Sequence, residues 1–475
     1  MIDGREVLAI ATTLGLLPNI VEKDYVLSWV LAGIFQHAAL TETWVFKGGT
    51  CLKKCYFETY RFSEDLDFTL TDGRQLDHSF LIRTFQEIAA WVYEQTGIEL
   101  PADGMRFEIF QNHRGRPAAQ GRVAYRGPIS PTRRDLPRIR FDLTADELLV
   151  FPPAERRITH PYSDEPEGGL RARCYAYEEA FAEKIRALGE RARPRDLYDV
   201  VNLFRNNEFQ PEGPAIYDIL HQKCTFKGIE IPSFQSLQAT REELESDWDA
   251  MLRYQLPLLP PVEGFWDELQ ALFAWMAGAE RVGMPVAYPL AEGEIVLRAP
   301  VGGLAVPAFG ASSIEVIRFA ASNRLCVELA YIDEHGRRRT QIIEPYSLRR
   351  TQAGNIVLHA VRADSGEHRS YRVDRIQNAR TTEQTFIPRY AIELTPSGPI
   401  VVPSPVRTSG FTAQRLTSPR RRATIPRPGP TYIYQCSQCG KRFERKTQDA
   451  TLRPHKSPSG WPCSGRWGML MDTSW

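Results

Sequence analysis

The chain has 475 residues, 43% of them hydrophobic and 25% charged, with a formal net charge of +1; this is the composition of a globular protein, and the length suits roughly three domains. No apolar run approaches the ~20 residues of a membrane span and no secretory apolar segment follows Met1, so no membrane-spanning helix is expected and a cytoplasmic location is the default expectation. The small total charge hides an asymmetry, because from Val401 onward 13 Lys/Arg face 3 Asp/Glu. A basic tail on a mildly acidic body predicts an anionic partner, nucleic acid first.

Residues 5 to 39 carry apolar positions at helical spacing, interrupted at Pro18, and predict two helices, the second from near Glu22-Lys23-Asp24. Trp44-Val45-Phe46 reads as a short strand. Lys47-Gly48-Gly49-Thr50 turns it into a helix starting at Thr50, where two glycines let the backbone approach a ligand and free N–H groups face a phosphate. In Ser63-Glu64-Asp65-Leu66-Asp67-Phe68-Thr69-Leu70, strand alternation puts Ser63, Asp65, Asp67 and Thr69 on one face and Leu66, Phe68 and Leu70 on the other. Two carboxylates on one face of an anchored strand can hold Mg²⁺ together with substrate phosphates. An isolated pair of this kind is more often a solvated strand face; the glycine turn just upstream favours the metal.

The order K-G-G-T, then R-F-S-E-D-L-D-F, with Val21-Glu22-Lys23-Asp24-Tyr25 ahead of both, resembles the AbiEii/AbiGii family of nucleotidyltransferase toxins, members of the DNA polymerase β-like superfamily. The resemblance implies an α/β (α+β) core of mixed sheet and flanking helices, Mg²⁺-dependent transfer of a nucleotide from an NTP, and a toxin or phage-defence role with tRNA as the acceptor and an antitoxin as a possible protein partner. Lys47, Gly48, Gly49 and Thr50 would bind the nucleotide and Asp65 and Asp67 the metal.

Pro137 to Thr144 alternates like a strand with Arg138, Arg140, Asp142 and Thr144 on one face. Asp142 is either the third acid that polymerase β-like sites place on a neighbouring strand, completing the metal site or taking the acceptor's proton, or an ordinary surface acid. Tyr177 to Phe204 reads as two helices separated by Arg193-Pro194. Lys184 lies on or beside an apolar stripe, where it must snorkel or meet an anion such as a triphosphate. Asp196 suits the first turn of the next helix electrostatically, and Asp199 shares its side. The segment is similar to the family's A-E-K and R-D-x-x-D motifs, which implies that Lys184 binds phosphate and that Asp196 or Asp199 is a base or a structural acid.

Residues 208 to 278 continue with helical periodicity, broken at Pro257 to Pro261, and Gly278 to Pro289 reads as a linker. A helix at Ser313 to Ser322 is followed by a hairpin, Leu325 to Tyr331 and Arg339 to Ile343 around Asp333-Glu334-His335-Gly336. Further strands follow at 344–348, 355–360 and 369–376. This order resembles the WYL domain, a small SH3-like module, although the naming Trp-Tyr-Leu triplet is Ile356-Val357-Leu358 here. The resemblance implies an anionic ligand for Arg349, Arg369, Arg372 and Arg375, whose other reading is a solvated face.

Val401 to Pro430, with Arg420-Arg421-Arg422 among prolines and serines, predicts a flexible basic tether. Cys436-x2-Cys439, then His455 and Cys463, predicts a structural Zn²⁺ site in a segment too short to bury a core of its own. Lys441, Arg442, Arg445 and Lys446 with Phe443, Trp461 and Trp467 offer charge and stacking surfaces to nucleic acid. The expected organisation is a transferase core at 1–207, a helical extension at 208–280, a linker at 281–309, a WYL-like domain at 310–395, a basic linker at 396–430 and a zinc-ribbon-like module at 431–475. The alternatives to RNA modification are a catalytically inactive nucleic-acid-binding regulator and a transferase that modifies protein side chains.

Overall fold

The structure, a computed structural model, describes residues 1–14, 16–57, 61–129, 135–206, 209–281, 285–297, 311–394, 431–445, 449–459 and 462–474. The basic tether, Lys446 and Trp461 lie outside the described residues.

Helices α1 (Gly4–Leu14) and α2 (Pro18–Gln36) come first. Pro18 opens α2 instead of separating it from its start at Glu22, because a missing N–H costs nothing in the first turn. Strand β1 (Trp44–Lys47) leads into α3 (Gly48–Cys51), which begins two residues before the expected Thr50 and runs on as a π-helical turn, Leu52–Tyr56. Then follow β2 (Asp65–Leu70), α4 (His78–Thr96), β3 (Met105–Gln111), β4 (Pro117–Ala124), β5 (Arg138–Thr144), β6 (Ala154–Ile158) and β7 (Leu170–Cys174).

These strands form one sheet in the order β3-β4-β5-β2-β1-β7-β6. β2 runs antiparallel to β1 and parallel to β5, so the strand with both acids is central. Leu66, Phe68, Ile139 and Phe141 are buried on one face. There α2 and α4 cover the sheet, with the Phe85 ring 4.7 Å from Phe107 and 4.8 Å from Phe141. On the other face of β5 and β4 the side chains of Arg138, Arg140, Asp142, Gln120 and Arg122 are exposed.

Helices α5 (Tyr177–Arg191) and α6 (Pro194–Arg205) follow, then α7 (Gly213–Lys227), α8 (Phe234–Gln238), α9 (Arg241–Leu252) and α10 (Glu263–Met276). Strand β8 (Ile295–Val296) comes from the expected linker and pairs with β10. Helix α11 (Ala311–Ser322) precedes β9 (Leu325–Ile332), β10 (Arg338–Arg350), β11 (Ile356–Arg362), β12 (His368–Arg372) and β13 (Ile376–Thr385), ordered β12-β11-β10-β9-β13. The two expected strands at 339–343 and 344–348 are a single strand, β10, which keeps its pairing through a bulge between Pro345 and Ser347. The α11–β9 turn meets the helical extension: Arg205 Nη1 donates to Ser322 O at 3.5 Å, and Arg205 and Arg324 both pair with Glu268.

Residues 407–475 form a separate unit. In it β14 (Thr431–Cys436) lies between β15 (Arg442–Arg445) and β18 (Gly468–Ser474), and β16 (His455–Lys456) pairs with β17 (Pro462–Cys463). No helix among the described residues is long and apolar enough to cross a membrane.

Candidate active site and metal centre

Strand register assembles the acids. Lys47 on β1 faces Asp67 on β2, and Asp67 faces Asp142 on β5; one step along, Asp65 faces Arg140. Registered partners on neighbouring strands point to the same side of a sheet, so Lys47, Asp65, Asp67 and Asp142 share one face. Burial and then the Asp142 charge push the Asp67 carboxyl up to about 6, against the pull of Lys47 and Lys184. Asp142 is raised as well, by burial first and then by Asp65. Burial and mutual repulsion of the two acids outweigh the nearby cations, an electrostatic setting that a bound cation would relieve.

The glycine turn is shaped by this row. Gly48 has φ of +80°, in the left-handed region, and a Cβ there would run into the Asp67 carboxylate. A Cβ on Gly49 would likewise meet the Arg61 guanidinium. Thr50 Oγ1 donates to Asp65 O at 2.5 Å and ties the turn to the start of β2. Replacing Gly48 by Ala therefore displaces Asp67 and carries a backbone penalty of ~1 kcal/mol or more. The expected result is a folded protein of lower thermal midpoint that has lost transfer activity; full activity would show that the turn does not depend on this contact.

Lys47 is partly buried against Glu147 at 3.2 Å. Burial works against its charge, but Glu147 in particular holds its amine protonated above the ordinary lysine range. Lys227 pairs with the same Glu147 oxygen at 3.2 Å, so the loop after β5 is clamped beneath the turn.

Lys184 meets anions, as its place on an apolar stripe requires, and in this structure they are carboxylates. Its Nζ is 2.7 Å from Asp199 and 3.5 Å from Asp196. Asp199 also takes two bonds of 2.7 Å from the Arg61 Nε and Nη2 atoms, and Asp196 takes bonds of 2.7 and 2.8 Å from Arg191. Both acids are fully buried. Burial raises the Asp199 carboxyl, but Arg61 and then Lys184 outweigh it and hold the group well below the usual range. Asp196 is lowered despite burial by Lys184 and Arg191. Carboxylates so neutralised are poor proton acceptors; Asp196 and Asp199 are held by cations in the core, whereas Asp142 stands at the open face of the sheet beside Gln120.

Arg61, Glu147 and Gln255, whose Oε1 accepts from Arg61 at 2.9 Å, were not singled out in the sequence. Arg61 stands in the R-F-S-E-D-L-D-F string, but its partner is 138 positions away. Asp24 of V-E-K-D-Y also braces: Lys54, on the π-helical turn, reaches Asp24 Oδ2 at 2.7 Å and Ser28 Oγ at 2.8 Å. Cys51, Cys55 and Cys174, scattered in the sequence, bring their sulfurs within 4.8 Å of one another.

In the C-terminal unit the ligand atoms of Cys436, Cys439, His455 and Cys463 all lie within 4.8 Å of one another. Cys436 Sγ and Cys463 Sγ are 3.8 Å apart, the separation of two thiolates at ~2.3 Å on one tetrahedral ion. His455 Nδ1 is 2.9 Å from Arg453 O, which places the proton there and leaves Nε2, 3.3 Å from Cys439 Sγ, able to ligate. The backbone N–H groups of Cys439 and Gln438 bring the Cys436 thiol down to about 6. The donor set fits Zn²⁺.

The WYL-like arginines do not converge. Arg349 is buried and saturated by Ser347, Glu294, Glu393 and the carbonyls of Tyr288 and Pro289, so it braces the fold instead of facing a ligand. Arg369 and Arg372 pair on the surface with Glu367 and Asp374. Arg375 follows in a 3-10 turn, where the expected strand at 369–376 breaks.

A mixed sheet with a glycine turn and acids on adjoining strands defines a nucleotidyltransferase. The family profile described as "Nucleotidyl transferase AbiEii toxin, Type IV TA system" matches residues 29–275, more than half of the chain, and the chain belongs to that family. A WYL domain matches at 312–381. Among solved structures the chain is similar to MenT4, a nucleotidyltransferase toxin from Mycobacterium tuberculosis H37Rv, at 18% identity and a TM-score of 0.36 over 58% of this chain and 89% of that one. It is also similar to the proteasome accessory factor B/C (PafBC) of Arthrobacter aurescens, at 14% identity and a TM-score of 0.16 over 44% of this chain and 27% of that one. No curated protein matches the chain in sequence.

Proposed function

We propose that this nucleotidyltransferase moves a nucleotide from an NTP to an RNA acceptor, tRNA first, in the cytoplasm, as a growth-arresting toxin held by an antitoxin or released in phage defence. The observation that carries the reading is the Lys47–Asp67–Asp142 row with Asp65 beside it. Asp65 and Asp67 fit Mg²⁺, which when bound would supply charge to the triphosphate and the transition state. Lys47 and the backbone of Gly48 to Thr50 orient the phosphates, and Lys184, braced by Asp196 and Asp199, lends positive charge from behind. Asp142 accepts the proton of the acceptor hydroxyl as its oxygen bonds to the α-phosphorus and the α–β bridging bond breaks to release pyrophosphate.

We read 1–207 as the core, 208–280 as its extension, 281–309 as the linker to a WYL domain at 310–395, and 431–475 as a zinc-ribbon-like module beyond a basic linker at 396–430. The zinc module, with Arg442 and Trp467, serves nucleic-acid capture. One equivalent of zinc per chain is expected by elemental analysis, lost in Cys436→Ser/Cys439→Ser; zinc content unchanged in that variant would remove the site.

Sequencing of cellular RNA 3′ ends after induction tests the function. Added nucleotides are expected with wild type and not with Asp67→Ala. Label on a protein instead of RNA would favour side-chain modification, and toxicity undiminished by Asp67→Ala would favour a regulator without catalysis.

A further inference from the structure

We propose that the open face of β5, β4 and β3 is the acceptor site, where Arg140, Arg122 and Arg106 hold the phosphate backbone of an RNA strand whose reacting end lies at Asp142. This rests on the reading of the protein as an RNA-directed nucleotidyltransferase and adds where the acceptor binds.

Register again makes the case. Asp65 on β2 faces Arg140 on β5, Arg140 faces Arg122 on β4, and Arg122 faces Arg106 on β3. The three arginines therefore form one row across the sheet, on the same side as the acids and starting beside Asp65. With strands ~4.8 Å apart, the row extends roughly 14 Å from Asp65. Arg106, Arg122 and Arg140 are all exposed, as is Arg138 two residues before Arg140. The opposite face of the same strands buries Met105, Phe107, Val123, Ile139 and Phe141, so the arginines cannot turn inward.

Some arginines elsewhere take a carboxylate two positions away: Arg74 with Asp72 at 2.8 Å, Arg362 with Asp364 at 2.5 Å, Arg372 with Asp374 at 2.7 Å. Arg122, Arg138 and Arg140 make no salt bridge within 4.0 Å among the described residues, although the Arg140 charge acts on Asp142. Asp103, Glu108 and Asp135 line the depression that includes Arg106, Arg122 and Arg138.

The side of the sheet also matters. The glycine turn follows β1, on one flank of β2, and the arginine row begins at β5, on the other. In-line displacement needs the acceptor oxygen and the leaving pyrophosphate on opposite sides of the α-phosphorus. With the triphosphate at the glycine turn, the acceptor enters over β5 and β4. Guanidinium groups suit phosphate geometry, and a line of cations tracking a backbone is the general device for holding a single strand.

The test uses the full-length protein and unfractionated tRNA as acceptor, comparing wild type with Arg122→Gln/Arg140→Gln and measuring KM for tRNA and for the labelled NTP separately at several NaCl concentrations. The double variant is expected to raise KM for tRNA about tenfold or more and to leave KM for NTP unchanged. It should also reduce the slope of log(kcat/KM) for tRNA against log[salt] by roughly 1.4, two phosphate contacts at ~0.7 each on a single strand. Arg122→Lys/Arg140→Lys should restore most of the slope. Equal KM values and equal slopes in a double variant with the wild-type thermal midpoint would overturn the acceptor track while leaving RNA transfer intact. A wild type that labels protein and no RNA would overturn the underlying function as well. A rise in KM for NTP with tRNA unaffected would assign the arginines to the nucleotide instead, and so overturn the proposal.

Discussion

Asp67→Asn is expected to abolish nucleotidyl transfer, by about a thousandfold or more, and to raise the thermal midpoint of the metal-free protein at pH 8. The first effect follows from removing a carboxylate at the centre of the Lys47–Asp67–Asp142 row, where several kcal/mol of charge stabilisation are at stake and each ~1.4 kcal/mol is a factor of ten. The second follows from the same electrostatics. The Asp67 carboxyl is raised from 3.8 to about 6 in the folded protein. A raised acid leaves the fold at full stability below the unfolded value, where both states hold the proton; between the two values only the unfolded chain has lost it, and the contribution is gone once pH rises through the folded value. Roughly 3 kcal/mol is the upper bound for a shift of this size, and the partial exposure of Asp67 reduces it. Asparagine carries no such penalty, so the variant should melt higher at pH 8 and the gap should close near pH 4. Mg²⁺ should raise the midpoint of wild type and not of the variant. An inactive variant that melts lower than wild type at pH 8 would mean that the Asp67 carboxylate braces the fold; an active one would remove Asp67 from the chemistry.

Asp199→Asn should cost stability instead. Its carboxylate is buried and takes Arg61 through two bonds of 2.7 Å and Lys184 through another. Neutralising it leaves two buried cations with one anion fewer, a loss of about 3–5 kcal/mol for breaking a buried pair. Thermal melts of the full chain should show a clearly lower first transition, together with loss of transfer because Arg61 packs directly against Gly49. Asp142→Asn is the contrast: the Asp142 carboxyl lies at the open face of the sheet and is raised by partial burial and then by Asp65, so the variant should fold at least as stably as wild type while transfer falls. If Asp199→Asn melts like wild type and only activity falls, Asp199 belongs with the chemistry and not with the braces.

The two acids differ by position in the fold, and their neighbours extend that difference to the WYL domain. Tyr198, next to Asp199 on α6, is buried and hydrogen-bonds with the side chain of Asn323 at the α11–β9 turn. Arg205 on the same helix reaches Ser322 O and shares Glu268 with Arg324. The helix that braces Lys184 is thus also the helix on which the WYL domain rests.

What could be read in the sequence was whatever a local period or a fixed spacing expresses. Alternation in β2 put Asp65 and Asp67 on one face, two glycines marked the turn, the Asp333 to Gly336 turn marked its hairpin, and Cys436-x2-Cys439 marked a metal knuckle. β3 and β4 were not read, although β3 alternates Met105, Phe107 and Ile109. In β4, Ala118, Ala119 and Gly121 show little strand character alone, and the structure explains Gly121 by the Phe107 ring that lies against it. The arginine row across those strands was invisible for the same reason.

The sequence by itself determined the chemistry available: a glycine turn, paired acids, a lysine on an apolar stripe, and three cysteines and a histidine that could hold a metal. Tertiary structure decided which of these groups stand together. Asp142 stands beside Asp67 because β5 pairs parallel with β2, whereas Asp199, read as an equal candidate, is turned into the core against Arg61 and Lys184. Arg349, read as a ligand contact, is buried between Glu294 and Glu393. A charge needs a partner or water, and strand order and helix packing, which no local pattern carries, determine which of the two it finds.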